Sequence, residues 1–269
     1  MSKPKHGAIR SRKAITKQRG YRVFTVDAFE VRCCTRHDEE FTNFAIHSDF
    51  PNLIPRGEIW VDERTFEAEG LFCLVDALVH LKKLEEGLPE EEAYAAGVAA
   101  ERALREAMTG LKYRGGKPLR TRPADVYVGE YLTLPDRTGP IAARLVDGCL
   151  VRCLYRTDYV EGGHGHVYPW VPKREIWLEH GVAAKELPFV LAHEYTELRL
   201  MRDDGLEYGP AHAIAAKVEF ALREGDSLGG LLTTHGRPLT KADLPKLAGE
   251  ALYEAVKRCY RPRQDGCRG

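Results

Sequence analysis

Short runs of alternating apolar and polar residues recur in two parts of the chain. The segments YRVFTVDAFEVRCC (21–34) and ARLVDGCLVRCLY (143–155) alternate with the period of two that is typical of strands, and each predicts a β-hairpin or strand pair. The runs EIWV (58–61) and EIWL (175–178) follow shortly after a proline, and each predicts one more short strand. Both parts therefore begin with β structure.

Helical periodicity follows each set of predicted strands. We expect first helices over 67–84 and 184–202, which end near Gly87 and Gly205, since glycine suits a helix C-cap. Second helices are predicted to begin near Pro89 and Pro210, because proline fits the first helical turn.

The two parts also match each other in sequence. EVRCCTRHD, PRGEIWVD and ERALRE of the first part correspond to LVRCLYRTD, PKREIWLE and EFALRE of the second, in the same order and at an offset of 117 to 120 residues. These matches indicate an internal duplication of a unit with short strands followed by two helices. The predicted fold class is α+β.

This duplication suggests domain boundaries. The predicted parts are a flexible basic arm (1–22), a first repeat domain (23–111), a linker rich in Gly, Pro and Arg (112–127), a second repeat domain (128–226), and a C-terminal helix with a tail (227–269).

The composition narrows the function classes. Forty basic and forty acidic side chains leave no net charge, so no global attraction to nucleic acid or to an anionic membrane is expected. The arm is locally basic, and is interpreted either as a contact to nucleic acid or a host protein or as a solvated tail. No run is long and apolar enough for a signal peptide or membrane span, and the seven cysteines include no CxxC, so we expect a cytoplasmic protein with reduced thiols and no membrane contact.

The segment VLAHEYTELRLM (190–201) places polar residues in the apolar stripe of a predicted helix. His193, Glu194 and Glu197 occupy the middle of that stripe. A buried carboxylate without a partner costs several kcal/mol, so these groups require a cation, a hydrogen-bond network or a water-filled cleft. The alternative is a solvated helix face with ordinary hydrogen bonds between side chains.

The following helix offers further ligands. In GPAHAIAAKVEFALRE, His212 and Glu219 share one face beside small alanines that allow close helix packing. His193, Glu197 and His212 would then bind Zn²⁺ or another divalent transition metal, with a fourth position open for water. Glu194 would accept a proton from that water, and Glu219 would be an outer-shell or alternate ligand.

The string HEYTE resembles the HExxH helix of zincin metallopeptidases, with Glu197 at the position of the second histidine. A wider pattern, IW…HE…E…LM…G…Y…AH…A…E, also resembles phage-type proteins with metallopeptidase-like domains. These resemblances, which cover about 30 residues, imply that His193 is a ligand and Glu194 the general base, with a peptide or protein as substrate.

The first copy lacks the proposed base. Alignment places Asp76, Ala77 and His80 at the positions of His193, Glu194 and Glu197, while Tyr94 corresponds to His212 and Glu101 to Glu219. Asp76, His80 and Tyr94 therefore define a degenerate site that is able to hold a cation but not to hydrolyse by this mechanism. Either a catalytic copy is paired with a degenerate one, or both copies are non-catalytic scaffolds.

Further candidates have simpler interpretations beside the functional ones. His164 and His166 have the spacing of two ligands on a strand, or pack in a loop, and an offset of 117 pairs His164 with His47. Tyr208 is a hydrogen-bond donor to an oxyanion or a helix-entry contact. The remaining candidates, expected in the core, are Cys33 and Cys153 on strands, and Trp60 and Trp177.

Two functional hypotheses follow. The first is a zinc-dependent hydrolase of the peptidase or amidase type, with its site in the second repeat. The second is a non-catalytic binding or regulatory protein, encoded by a phage or mobile element, that acts on a host protein or nucleic acid.

Overall fold

A computed structural model of the protein describes residues 9–34, 41–115 and 125–224. We call residues 9–115 the first half and residues 125–224 the second half. The elements of the first half are β1 (Lys13–Gln18), β2 (Tyr21–Val26), α1 (Ala28–Cys34), β3 (Phe44–Ile46), β4 (Glu58–Asp62), α2 (Glu63–Glu85) and α3 (Glu90–Thr109). Those of the second half are β5 (Tyr127–Leu134), β6 (Ile141–Val146), α4 (Gly148–Leu154), β7 (Gly162–His164), β8 (Glu175–Glu179), α5 (Leu187–Asp203) and α6 (Tyr208–Glu224).

Each half contains one four-stranded sheet. The strand orders are β1-β2-β4-β3 and β5-β6-β8-β7. The central pairs, β2 with β4 and β6 with β8, are parallel, and the outer pairs are antiparallel. In both halves the two long helices pack against each other, and the first of them, α2 or α5, packs on the sheet.

The strand register shows that the halves are copies of one α+β unit. Trp60 of β4 lies opposite Phe24 of β2, and Trp177 of β8 lies opposite Arg144 at the equivalent position of β6. Both tryptophans are fully buried, and each indole N–H donates to a glutamate two residues earlier, at 2.9 Å to Glu58 and 3.1 Å to Glu175. The core position expected for both tryptophans is confirmed.

Two predicted strands are short helices instead. Residues 28–34 and 148–154 form α1 and α4, so the predicted hairpins and the strand positions of Cys33 and Cys153 are wrong. An aspartate begins each helix, because Asp27 accepts a hydrogen bond from the N–H of Phe29 and Asp147 from that of Leu150. A helix of two turns shows too few repeats for its period to be told from alternation.

The expected long helices are present with shifted starts. The first helices begin at Glu63 and Leu187, and the second helices begin at Glu90 and Tyr208. As the C-cap prediction requires, Gly87 and Gly205 have φ angles of 86° and 68°, in the left-handed region that favours glycine.

Part of the predicted flexible arm belongs to the fold. Residues 13–18 form β1, which pairs with β2, so the expectation of flexibility is wrong for this part of residues 1–22. β5 begins at Tyr127, inside the predicted linker. The predicted C-terminal helix and tail lie outside the described residues.

Reciprocal ion pairs join the two halves. Nη1 of Arg32 in α1 donates to Glu186 at 2.6 Å, just before α5, and Nε of Arg152 in α4 donates to Glu69 of α2 at 3.0 Å. All four side chains are buried. The same arginine position of each half thus contacts the same glutamate position of the other half. The two halves are therefore related by an approximate two-fold axis.

No helix in the described ranges is long and apolar enough to cross a membrane.

Candidate metal centre

Three side chains from α5 and α6 converge on one point in the second half. Nε2 of His193 lies 3.1 Å from Nδ1 of His212, and this Nδ1 lies 2.9 Å from Oε2 of Glu197. The third distance, from Nε2 of His193 to Oε2 of Glu197, is 3.6 Å. His193 and Glu197 are four residues apart on α5 and therefore share a face. Buried Ala215 lies on α6, one turn after His212.

These distances fit a bound metal ion. Three donors of a tetrahedral zinc site, each at about 2.0–2.1 Å from the ion, lie about 3.3–3.4 Å from one another. The three observed separations fall on both sides of that value. The donor set of two imidazole nitrogens and one carboxylate oxygen also matches the ligands of catalytic zinc sites, which keep a fourth position open.

Glu219 fixes the orientation of His193. Its Oε2 lies 2.9 Å from Nδ1 of His193. A carboxylate accepts, so Nδ1 carries the proton and Nε2 keeps a lone pair directed at His212 and Glu197. Burial alone would raise the pKa of Glu219, but the hydrogen bond from His193 and the charge of Arg223 outweigh it and hold that pKa well below its usual range.

An ion-pair network connects this contact to the interface between the halves. Arg223 of α6 contacts Glu219, with Nε 3.1 Å from Oε1, and donates to Glu186 at 2.6 Å. Glu186 is also the partner of Arg32. The position of His193 is therefore coupled to the packing of the first half on the second.

His164 of β7 lies on the other side of Glu197. Its Nε2 is 3.0 Å from Oε1 of Glu197, although the angle is not that of a hydrogen bond. Nδ1 of His164 accepts from the backbone N–H of His166, so the proton of the neutral ring is on Nε2, the nitrogen nearer to the carboxylate. His164 thus lies beside Oε1 of Glu197, while Oε2 is the oxygen near His193 and His212.

The charge of Glu197 is maintained by its neighbours. Burial would raise the pKa of Glu197, but the contacts from His164, His193 and His212 lower it well below its usual range. Burial lowers the pKa of His164, and the carboxylate opposes this shift. The site is therefore an ionised carboxylate surrounded by imidazoles.

Glu194 lies in the same cavity, which has a volume of about 90 Å³ and is also lined by His193, Glu197 and His212. A carboxylate oxygen of Glu194 lies within 4.8 Å of ligand atoms of Glu197 and His164. Its place depends on Gly162 of β7, because a Cβ at residue 162 would lie 2.9 Å from both Cγ and Oε1 of Glu194. The first half has Phe44 at this register position.

Tyr208 and His166 differ in their relation to the site. Tyr208 is 48% exposed and lines the cavity, and its ring lies 5.2 Å from that of His212. His166 does not line the cavity; burial and the charge of Lys173 lower its pKa to about 4. His164 lies opposite Ile176 of β8, and Ile46 lies opposite the equivalent Ile59 of β4. The counterpart of His164 is therefore Ile46, and the expected pairing with His47 is wrong.

The degenerate residues of the first half do not form a comparable centre. Nε2 of His80 lies 2.8 Å from Glu90, and the hydroxyl of Tyr94 donates to Asp158 at 3.1 Å. Within the described residues, the groups with metal-ligand spacing are His193, Glu197 and His212, and His164, Glu194 and Glu197, all in the second half.

Besides Gly162, sequence reasoning missed three residues that shape the cavity. Tyr168 lines it, and burial and the nearby Glu194 raise the pKa of its hydroxyl well above the usual value, so it remains a donor. Gly163 gives this ring its space, since a Cβ there would lie 2.4 Å from Cδ2 of Tyr168. Glu161, which also lines the cavity, contacts Arg32 of the first half. The signal for the glycines was the GG pair before His164, because glycine in a strand marks close approach.

Comparisons of this chain with models of protein families, with curated proteins and with solved structures found no match.

Proposed function

We propose that the second half binds a divalent transition metal, zinc in the first place, and hydrolyses an amide or peptide bond. His193, Glu197 and His212 would be the ligands. The observation that carries the proposal is the convergence of their three donor atoms within 3.6 Å. His193 and Glu197 are buried and His212 is half-buried, so an ion bound between them would lie at the edge of the cavity.

The surroundings of the three residues support a metal site. Ligating histidines commonly donate their other ring N–H to a carboxylate, as His193 does to Glu219. His164 lies 3.0 Å from Oε1 of Glu197, and Oε2, the oxygen near His193 and His212, would bind the ion. The cavity of about 90 Å³ leaves room beside the ligands for a water molecule.

A catalytic role for Glu194 is supported by its place in the cavity. Bound zinc lowers the pKa of a water ligand to about 7, which supplies a nucleophile near neutral pH. Glu194 would accept the proton of the attacking water and return it to the leaving nitrogen of the amide. This is the role of the glutamate that follows the first histidine in the zincin helix, which HEYTE resembles.

We place this reaction in the cytoplasm. Cys73, Cys149 and Cys153 are free thiols, and reducing compartments keep cysteines in this form.

Metal content and hydrolysis test the proposal separately. Protein purified without a polyhistidine tag should contain about one zinc per chain by elemental analysis. Glu197→Gln should lose the metal. Glu194→Gln should keep it but lower the rate of peptide hydrolysis at least about 100-fold, the usual contribution of a general base. Glu207→Gln, an exposed change beside α6, is the matched control.

The outcomes distinguish the candidate functions. A stable protein that takes up no transition metal would contradict the proposal. Metal binding that depends on Glu197 without hydrolysis of any peptide in a mixed library would favour the non-catalytic binding protein. Loss of metal in Glu194→Gln would make that carboxylate a ligand instead of the base.

A further inference from the structure

A chain of buried ion pairs leads from the first half to His193 of the metal centre. We call it the second-half chain, and its members in order are Arg32, Glu186, Arg223 and Glu219. Arg32 is the member that belongs to the first half. All four side chains are at most 8% exposed, so bulk water and salt screen their charges little.

Single atoms link the members of the second-half chain. Oε2 of Glu186 accepts from Nη1 of Arg32 and from Nη2 of Arg223, each at 2.6 Å. The same Nη2 contacts Oε1 of Glu219, and Oε2 of Glu219 lies 2.9 Å from Nδ1 of His193. Glu186 thus holds together two cations that repel each other, so the position of Arg223 depends on the charge of Arg32.

The first half contains the equivalent chain. Its members in order are Arg152, Glu69, Arg105 and Glu101, and here Arg152 comes from the second half. Oε2 of Glu69 again serves both arginines, at 3.0 Å from Nε of Arg152 and 2.5 Å from Nη2 of Arg105. This first-half chain ends at Asp76, which is hydrogen-bonded to Glu101. Both copies of the fold therefore have the chain, but only the second-half chain ends at a residue of the metal centre.

Arg32 also contacts a residue of the metal cavity. Arg32 and Glu161 both line that cavity, and Nη2 of Arg32 donates to Oε1 of Glu161. Glu161 has a φ of 54°, a left-handed backbone that persists in a residue with a side chain only where the surroundings hold it. The counterpart Asn43 accepts through its carbonyl from the last residue of β4, as Glu161 does from the last residue of β8, but its φ is not positive. The contact of an arginine with a left-handed residue is thus specific to the second half.

We propose that Arg32 is a positioning residue of the metal centre, and that the first half serves the second by supplying it. Arg32 acts through the second-half chain, whose last member orients His193 for the ion. Without Arg32, Glu186 would keep a single cation. Arg223 would then shift towards Glu186 and loosen its contact with Glu219, so the hydrogen bond that leaves Nε2 of His193 free for the ion would be less well fixed. This role rests on the proposed metal site.

The zinc affinity of Arg32→Gln tests this role. Competition with a chromogenic chelator should show zinc binding that is weaker by about 3–30-fold, the effect expected of a residue that acts through a network without touching the ligand. The matched control is Arg105→Gln, the same change at an equally buried arginine whose carboxylate partners lie in the first half. Because the first-half chain ends at Asp76, this control should bind zinc within about twofold of the parent chain.

Urea denaturation separates positioning from general stability. Both variants remove one partner from buried ion pairs, so both should unfold at a lower urea concentration than the parent chain. If Arg32→Gln does not fold, Arg32→Lys replaces it, with Arg105→Lys as its control. Lysine keeps the charge but lacks the planar fork of donors, so Arg32→Lys should still weaken zinc binding at least about threefold, and Arg105→Lys should not.

The outcomes separate this role from the metal site itself. Equal weakening of zinc binding in the Arg32 and Arg105 variants would assign the effect to general destabilisation and overturn the positioning role. Unchanged zinc binding in a folded Arg32 variant would also overturn it, but would leave the metal site standing. A parent chain that takes up no zinc would overturn the metal site and, with it, the role of Arg32.

Discussion

Nδ1 of His193 lies 2.9 Å from Oε2 of Glu219 on the neighbouring helix. The same two positions in the first half hold Asp76 and Glu101, both buried carboxyl groups that are joined by a hydrogen bond. The two copies therefore differ by one residue at this contact. Asp76 in the first half shares a proton with Glu101, whereas His193 in the second half is held by Glu219 in an orientation that suits a metal ligand.

The contact to Glu219 predicts weaker metal binding in Glu219→Gln. An amide accepts the hydrogen bond of His193 less strongly than a carboxylate, and removal of such a partner typically costs about 10–100-fold in metal affinity. Competition with a chromogenic chelator measures the change. Glu207→Gln should bind zinc like the parent chain, and an unchanged affinity in Glu219→Gln would contradict the orienting role.

The space left by Gly162 predicts lower turnover in Gly162→Ala with the metal retained. The added methyl group would lie 2.8 Å from Cγ1 of Val190 and 2.9 Å from Glu194, so the proposed base must move. A displacement of about 1 Å costs up to about 100-fold in rate. Gly209→Ala is the control, since its Cβ meets nothing within 4 Å. Equal turnover in both variants would show that Glu194 needs no fixed position.

The sequence predicted the relation between α5 and α6 because both helices are long. Over four or more turns the period of 3.6 identifies the face shared by His193 and Glu197, and small residues such as Ala215 indicate close packing. The GG pair marks a close approach at Gly162, but its contact with Glu194 was not predictable, because that contact depends on how β7 lies against α5 and the two elements are distant in sequence. The helix α1 was misread because residues 28–34 make only two turns, and the cap at Asp27 falls inside an alternating run.

The environment of Asp76 predicts a pH-dependent gain of stability in Asp76→Asn. Burial, followed by the neighbouring Glu101, raises the pKa of Asp76 to about 8. The folded chain then keeps a proton that the unfolded chain releases near pH 4, so this group lowers stability as the pH rises from about 4 to about 8. The variant removes that loss.

Thermal unfolding at several pH values measures this effect. The difference in Tm between Asp76→Asn and the parent chain should grow from pH 4 to pH 8 and stay constant above. Asp125→Asn should show no such trend. A difference that is the same at every pH would mean that Asp76 titrates as an ordinary exposed aspartate does.

The reciprocal ion pairs predict that Glu69→Gln destabilises the fold. Glu69 is buried between Arg152 and Arg105, and removal of one partner from a buried pair typically costs about 3–5 kcal/mol. Urea denaturation measures the loss of unfolding free energy. The control is Glu130→Gln, which breaks the pair between Arg144 and a half-exposed carboxylate and should cost only about 0–1 kcal/mol.

Burial would raise the pKa of Glu69, but the two arginines lower it to about 2. The stability that this carboxylate contributes is present above pH 4.5 and is lost as the pH falls towards 2, so the penalty should shrink in acid. If the loss of unfolding free energy were equal at pH 7 and pH 2.5, its cause would be lost packing and not lost charge. The buried ion pairs would then contribute packing, but little electrostatic energy, to the interface of the halves.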